Sequence, residues 1–137
     1  MIQKTLLKRW NKSYNKIDTM QVLWVFIGGG LGSVLRFLIS KISWLSQASI
    51  WATFTANLLA SILLGFLFAK NLDGLLSARQ RLLLMTGFCG GFSTFSTFSL
   101  DNYKLLEVSD WWSLSWNIIG SVLVCLLGLF LGIKLAN

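Results

Sequence analysis

Fourteen residues in the middle of the chain, Thr86 to Ser99 (TGFCGGFSTFSTFS), mix three residue types that rarely share a membrane segment. Thr86, Ser93, Thr94, Ser96, Thr97 and Ser99 carry hydroxyls. Gly87, Gly90 and Gly91 loosen the backbone, and Phe88, Phe92, Phe95 and Phe98 place rings between them. A glycine weakens a helix by about 1 kcal/mol, so the Gly90–Gly91 pair predicts a broken helix. Ser and Thr can then satisfy the backbone groups that a break releases. Membrane proteins place ion sites at such breaks, where freed carbonyls face cations. Close packing through small residues is the alternative, but it does not require rings at every third residue.

Three further clusters sit in apolar surroundings. Thr53, Asn57 and Ser61 share one helical face, as do Asn117, Ser121 and Cys125 ahead of Gly128 and Gly132. An amide in hydrocarbon must find partners or line water, so Asn57 reads as either an inter-helix bond or a pathway group. Gly28, Gly32 and Arg36 share a third face. Its G-x-x-x-G step is a packing motif, while Arg36 either snorkels to the interface or serves a structural or vestibule role.

What is missing restricts the chemistry. The chain has no histidine, and no apolar run holds a carboxylate before Asp101. A proton-coupled exporter of cationic drugs needs a titrating carboxylate inside the membrane, and an enzyme needs a nucleophile and a base. Neither can be assembled, so no catalytic residues are expected. Cys89 and Cys125 lack metal-ligand or redox spacing and read as small apolar groups.

The elements that hold these residues follow from composition. Of 137 residues, 55% are hydrophobic and only 12% charged, with no proline. This implies lipid as the solvent and a single domain. A bilayer core about 30 Å thick needs roughly 20 apolar helical residues, and four runs qualify, at about 22–39, 50–69, 82–102 and 111–133. The predicted fold is therefore an all-α integral membrane protein with four transmembrane helices, the third broken near mid-membrane, in a channel domain spanning 22–137. Residues 1–21 form a basic tail, amphipathic or disordered, in which Leu6, Leu7, Trp10 and Tyr14 fit a stripe lying on anionic lipid. The net charge of +7 comes mainly from Lys and Arg outside the runs. That pattern marks the cytoplasmic side of membrane loops rather than nucleic acid binding. It favours a cytoplasmic N-terminus.

Taken together, GGGLGSVLRF (28–37), TFTANLLASILLG (53–65) and GFCGGFSTFSTFS (87–99) resemble the Fluc, or CrcB, family of fluoride channels, in order and spacing across nearly all of the chain after the tail. The resemblance implies passive fluoride efflux through a multi-pass protein of a bacterial plasma membrane. It implies an antiparallel dual-topology dimer with a structural sodium ion at its centre, held by the main-chain carbonyls of Gly90 and Ser93. The fluoride pathway maps to Asn57, Phe95, Ser96, Thr97, Phe98 and Ser121, and the first-span arginine to Arg36. A ring edge is the positive part of a phenylalanine, so Phe95 and Phe98 can face an anion without holding it tightly. Ser93 replaces a more usual threonine, Ala60 a glycine and Asp101 a glutamate. The charge bias favours one orientation, which leaves a heterodimer with an oppositely inserted partner beside the favoured homodimer.

Overall fold

A computed structural model describes residues 18–42 and 49–137, and within them every regular element is helical. The tail stripe lies outside the described residues. Asp18 opens the first helix, α1 (Thr19–Ser40), by accepting a bond from the Met20 amide. The second helix, α2 (Ser49–Leu72), ends in a turn where Gly74 adopts φ of 74°, a conformation that favours glycine. A capping box between Ser77 and Gln80 starts the third segment. That segment runs through α3 (Ala78–Gln80), a π-helical stretch π1 (Arg81–Cys89) and α4 (Gly90–Phe92). After a two-residue gap the chain resumes as α5 (Phe95–Glu107), then turns at Ser109 into α6 (Trp111–Ala136). Asp110 caps α6 through Ser113, and those hydrogen bonds hold its carboxyl below the usual range.

Among the described residues, three helices are long and apolar enough to cross a membrane: Thr19–Ser40, Ile50–Leu72 and Trp111–Ala136. The third segment is interrupted as expected, but not by its glycines. Gly90 keeps helical dihedrals, whereas Ser93 (ψ 155°) and Thr94 (φ −149°, ψ 117°) are extended. The segment also continues beyond residue 102 to Glu107, which puts Asp101 inside α5 and buries it.

The glycines instead let backbones touch. A Cβ on Gly28 would lie 2.0 Å from the Leu83 carbonyl oxygen, one on Gly32 2.2 Å from that of Phe88, and one on Gly91 2.3 Å from that of Gly29. Rising numbers on α1 therefore meet rising numbers on π1 and α4, so the first and third segments pack in parallel. The second and last helices do the same: Gly128 abuts Leu58 and Gly132 abuts Ile62, where an added Cβ would meet the Leu58 side chain and the Ile62 carbonyl. Lys70 Nζ ties their ends by donating to Ala136 O. Between the two pairs sits a small core of Ala56, Ala60 and Phe92, with Ile39 and Phe88 packed on it. Large apolar side chains such as Phe26, Leu127 and Trp112 point outward, 75%, 65% and 75% exposed. So much exposed apolar surface suits hydrocarbon and not water.

Candidate functional site

The break is built from side chains that replace lost helical bonds. In an unbroken helix the Thr94 N–H would reach Gly90 O. Here it donates to Asn57 Oδ1 at 2.7 Å, while Asn57 Nδ2 donates to Thr94 O at 3.4 Å. The carbonyl of Gly91 would normally accept from Phe95. It accepts instead from Arg36 Nε and Ser33 Oγ, each at 3.4 Å. Thr97 N–H, the helical donor for Ser93 O, is captured at 3.2 Å by the hydroxyl of Thr94, which caps α5. The outcome is selective. Gly91 O receives substitute donors, while Gly90 O and Ser93 O lose theirs to side chains. Gly90 is also exposed, and beyond its own helical turn nothing lies within 4 Å of the position its Cβ would occupy.

Beside the break lies an open groove of about 240 Å³. Asn57 and Ser61 line it from α2, Ser93 and Thr94 from the break, Phe95 and Phe98 from α5, and Ser121, Val122 and Cys125 from α6. The two rings are 5.7 Å apart at 42°, and Phe95 is 79% exposed. The structure thus gathers Asn57, Ser93, Phe95, Phe98 and Ser121 around one space. Ser96 and Thr97 do not line it. Their hydroxyls lie 3.1 and 3.2 Å from that of Thr94, at the start of α5. Arg36 sits across the broken segment on Gly91, and its guanidinium is engaged with backbone rather than spread toward the interface.

Among the groove-lining residues there is neither a carboxylate nor a cation. The buried carboxylate of Asp101 is occupied elsewhere, accepting from Thr53 Oγ1 at 2.7 Å. A wall of neutral amide and hydroxyl groups between aromatic rings can solvate a small anion without trapping it.

Sequence reasoning named Thr94 but gave it no place in the site, and left out Ser33 and Asn102. Thr94 had a usable signal, because a hydroxyl residue three positions before Thr97 and next to a helix break is placed to cap. Ser33 lies 58 residues from Gly91 and Asn102 bonds a residue on a different helix; no local pattern announces either.

Residues 23–133 match the family model described as CrcB-like protein, Camphor Resistance (CrcB). Curated relatives carry the name fluoride-specific ion channel FluC. One from Phocaeicola vulgatus is 43% identical over 85% of this chain and 98% of its own length. One from Pyrococcus furiosus is 40% identical over 88% and 99%, and one from Magnetococcus marinus 38% identical over 83% and 95%. Archaeal proteins stand among these relatives, so the similarity does not single out the bacterial source expected above. On the span of the family match and the near-complete coverage of these relatives, the chain belongs to the CrcB family.

Proposed function

We propose that this chain is a subunit of a membrane channel that conducts fluoride passively, lowering the concentration of the ion inside the cell. The observation that carries the reading is the groove at the helix break, walled by neutral donors and phenylalanines with no carboxylate. Fluoride is a small, strongly hydrated acceptor. Asn57 Nδ2 has two protons and commits one to a long 3.4 Å bond, which an anion can displace at little cost. The edges of Phe95 and Phe98 supply weak positive potential that does not hold the ion against exit. Ser96 and Thr97 extend the hydroxyl path along α5 by way of Thr94.

A single chain leaves the groove open and Phe95 bare, and we infer that a second, antiparallel copy covers them. The parallel packing of the odd segments and of the even helices fits a chain that crosses the bilayer four times, with two such chains related by a two-fold axis in the membrane plane. The carbonyls of Gly90 and Ser93 fit a sodium ion between the copies. They are hard oxygens deprived of their helical donors, two from each chain, and small hard cations take such ligands. Sodium there supplies fixed positive charge and a bridge between subunits. The plasma membrane, with its excess of cytoplasmic Lys and Arg, is the site of action.

Purified chain in liposomes loaded with potassium fluoride tests the reading. Fluoride efflux measured by an ion-selective electrode should far exceed chloride efflux from matched vesicles. Fluoride flux equal to that of empty liposomes would reject it.

A further inference from the structure

A chain of polar contacts leads away from the groove through Ser121. This serine is 6% exposed, and its hydroxyl donates to Asn117 Oδ1 at 3.3 Å. Asn117 Nδ2 in turn donates to Asn102 Oδ1 at 2.8 Å, joining α6 to α5. A serine has one proton. Committed to Asn117, that proton leaves only oxygen lone pairs for the groove. That polarity suits water or a cation and repels an anion.

The arrangement has a mirror state. If both amides turn by half a revolution, Asn102 Nδ2 donates to Asn117 Oδ1 and Asn117 Nδ2 donates to Ser121 Oγ. The serine proton is then free to point into the groove. Heavy atoms barely move, because an amide presents its oxygen and nitrogen at nearly equal reach. Two hydrogen bonds exist in either state, so the empty relay has little intrinsic preference and the occupant decides. The amides must turn together, since turning one alone sets oxygen against oxygen or NH2 against NH2. Carboxamides at both positions are needed: a carboxylate only accepts and holds one direction.

We propose that Asn102 and Asn117 form a reversible hydrogen-bond relay that sets whether Ser121 donates into the groove, with Asn102 as a positioning residue that never touches the ion. The proposal rests on the reading of the groove as an anion site. In this scheme the relay in the orientation described turns Ser121 away from the groove. An arriving fluoride inverts it and gains one donor.

Two measurements test the relay on the assembled protein in lipid. Side-chain amide resonances of 15N-labelled asparagines should respond to sodium fluoride and not to sodium chloride, those of Asn102 and Asn117 moving together. In Asn102→Asp the Asn117 signals should stop responding. In vesicles, Asn102→Asp should slow fluoride efflux about tenfold, the scale of one lost charge-assisted hydrogen bond. The same substitution added to Ser121→Ala, which has no proton to orient, should change flux by less than about twofold. Amide signals indifferent to fluoride would overturn the relay, as would an equal loss in both backgrounds, the mark of simple charge repulsion. Responsive amides in a protein whose vesicles release no fluoride would reject the channel reading and leave the relay standing. Fluoride flow past unresponsive amides would do the reverse.

Discussion

Asn57 holds the backbone of the break and lines the groove, and two substitutions separate these roles. Asn57→Asp keeps the acceptor for Thr94 N–H, at 2.7 Å in the wild type, and loses only the donor in the 3.4 Å bond. Stability should stay within about 1 kcal/mol of wild type, because the remaining bond becomes charge-assisted. The groove, however, gains a negative charge. At about 5 Å and an effective dielectric near 20, its repulsion of fluoride is about 3 kcal/mol, or about two-hundredfold in occupancy. Asn57→Leu does the opposite: it leaves the Thr94 N–H and carbonyl both without their partner, at about 1–3 kcal/mol for each group. Fluoride efflux from liposomes and thermal unfolding, measured on the same preparations, read the two effects. The Asp variant should fold and conduct poorly. Part of its flux should return at mildly acidic pH as the introduced carboxyl protonates. Wild-type flux through Asn57→Asp at alkaline pH would refute the placement of Asn57 on the ion path. A stability loss in the Asp variant matching that of the Leu variant would show that its two bonds to Thr94 are its whole role.

Four other outcomes are expected. Phe95→Ile removes the ring edge at a position 79% exposed within the subunit, so flux should fall while the unfolding temperature hardly moves; a matched fall in both would make Phe95 a packing residue. Gly32→Ala drives a methyl to 2.2 Å from the Phe88 carbonyl oxygen and should cost about 3 kcal/mol or more, whereas Gly30→Ala, with nothing within 4 Å, should leave stability equal or up to about 1 kcal/mol higher. Replacing sodium by a bulky organic cation should lower the thermal stability of the assembled protein, and identical melting in both salts would argue against a cation on Gly90 and Ser93. Single cysteines at positions 13 and 109, labelled from one side of cells expressing only this chain, should each react in a separate population if the chain inserts both ways; labelling of one position alone would require an oppositely inserted partner.

How much of this was legible in the sequence differs by level. The helices were, because lipid demands uninterrupted apolar runs and the residues that end them are charged. Thr19–Ser40 and Trp111–Ala136 overrun the expected spans by only a few residues at their ends. The clusters at Asn57 and Ser121 were legible as faces, since a spacing of four on a helix is a geometric fact. What each face meets was not. Thr53 shares the Asn57 face yet bonds Asp101, 48 residues away and about two turns past the break. The glycine pair misled in an instructive way. Low propensity lets a helix break but does not make it break, and Gly91 is held helical because α1 lies so close that any side chain there would strike Gly29. The extended residues are the β-compatible Ser93 and Thr94, at the first point where the neighbouring helices offer substitute partners.

Those substitutes explain how a broken helix survives in hydrocarbon. An unpaired backbone group in a membrane costs several kcal/mol, and a two-residue gap exposes several. Asn57 takes both polar groups of Thr94, Arg36 and Ser33 take the carbonyl of Gly91, and Thr94 takes the amide of Thr97. Each donor comes from a helix fixed by glycine contacts or from the cap itself, so the break is formed before any ion arrives. The carbonyls of Gly90 and Ser93 are two whose helical donors have been captured by side chains. A fold that satisfied every group would leave no oxygen to offer the proposed cation. One that left them all bare would not keep its shape in lipid. In the proposed arrangement the Gly90 and Ser93 oxygens are the ones offered to a cation between the copies. Ser93 belongs both to the break and to the groove that the proposal assigns to fluoride, so the two adjoin.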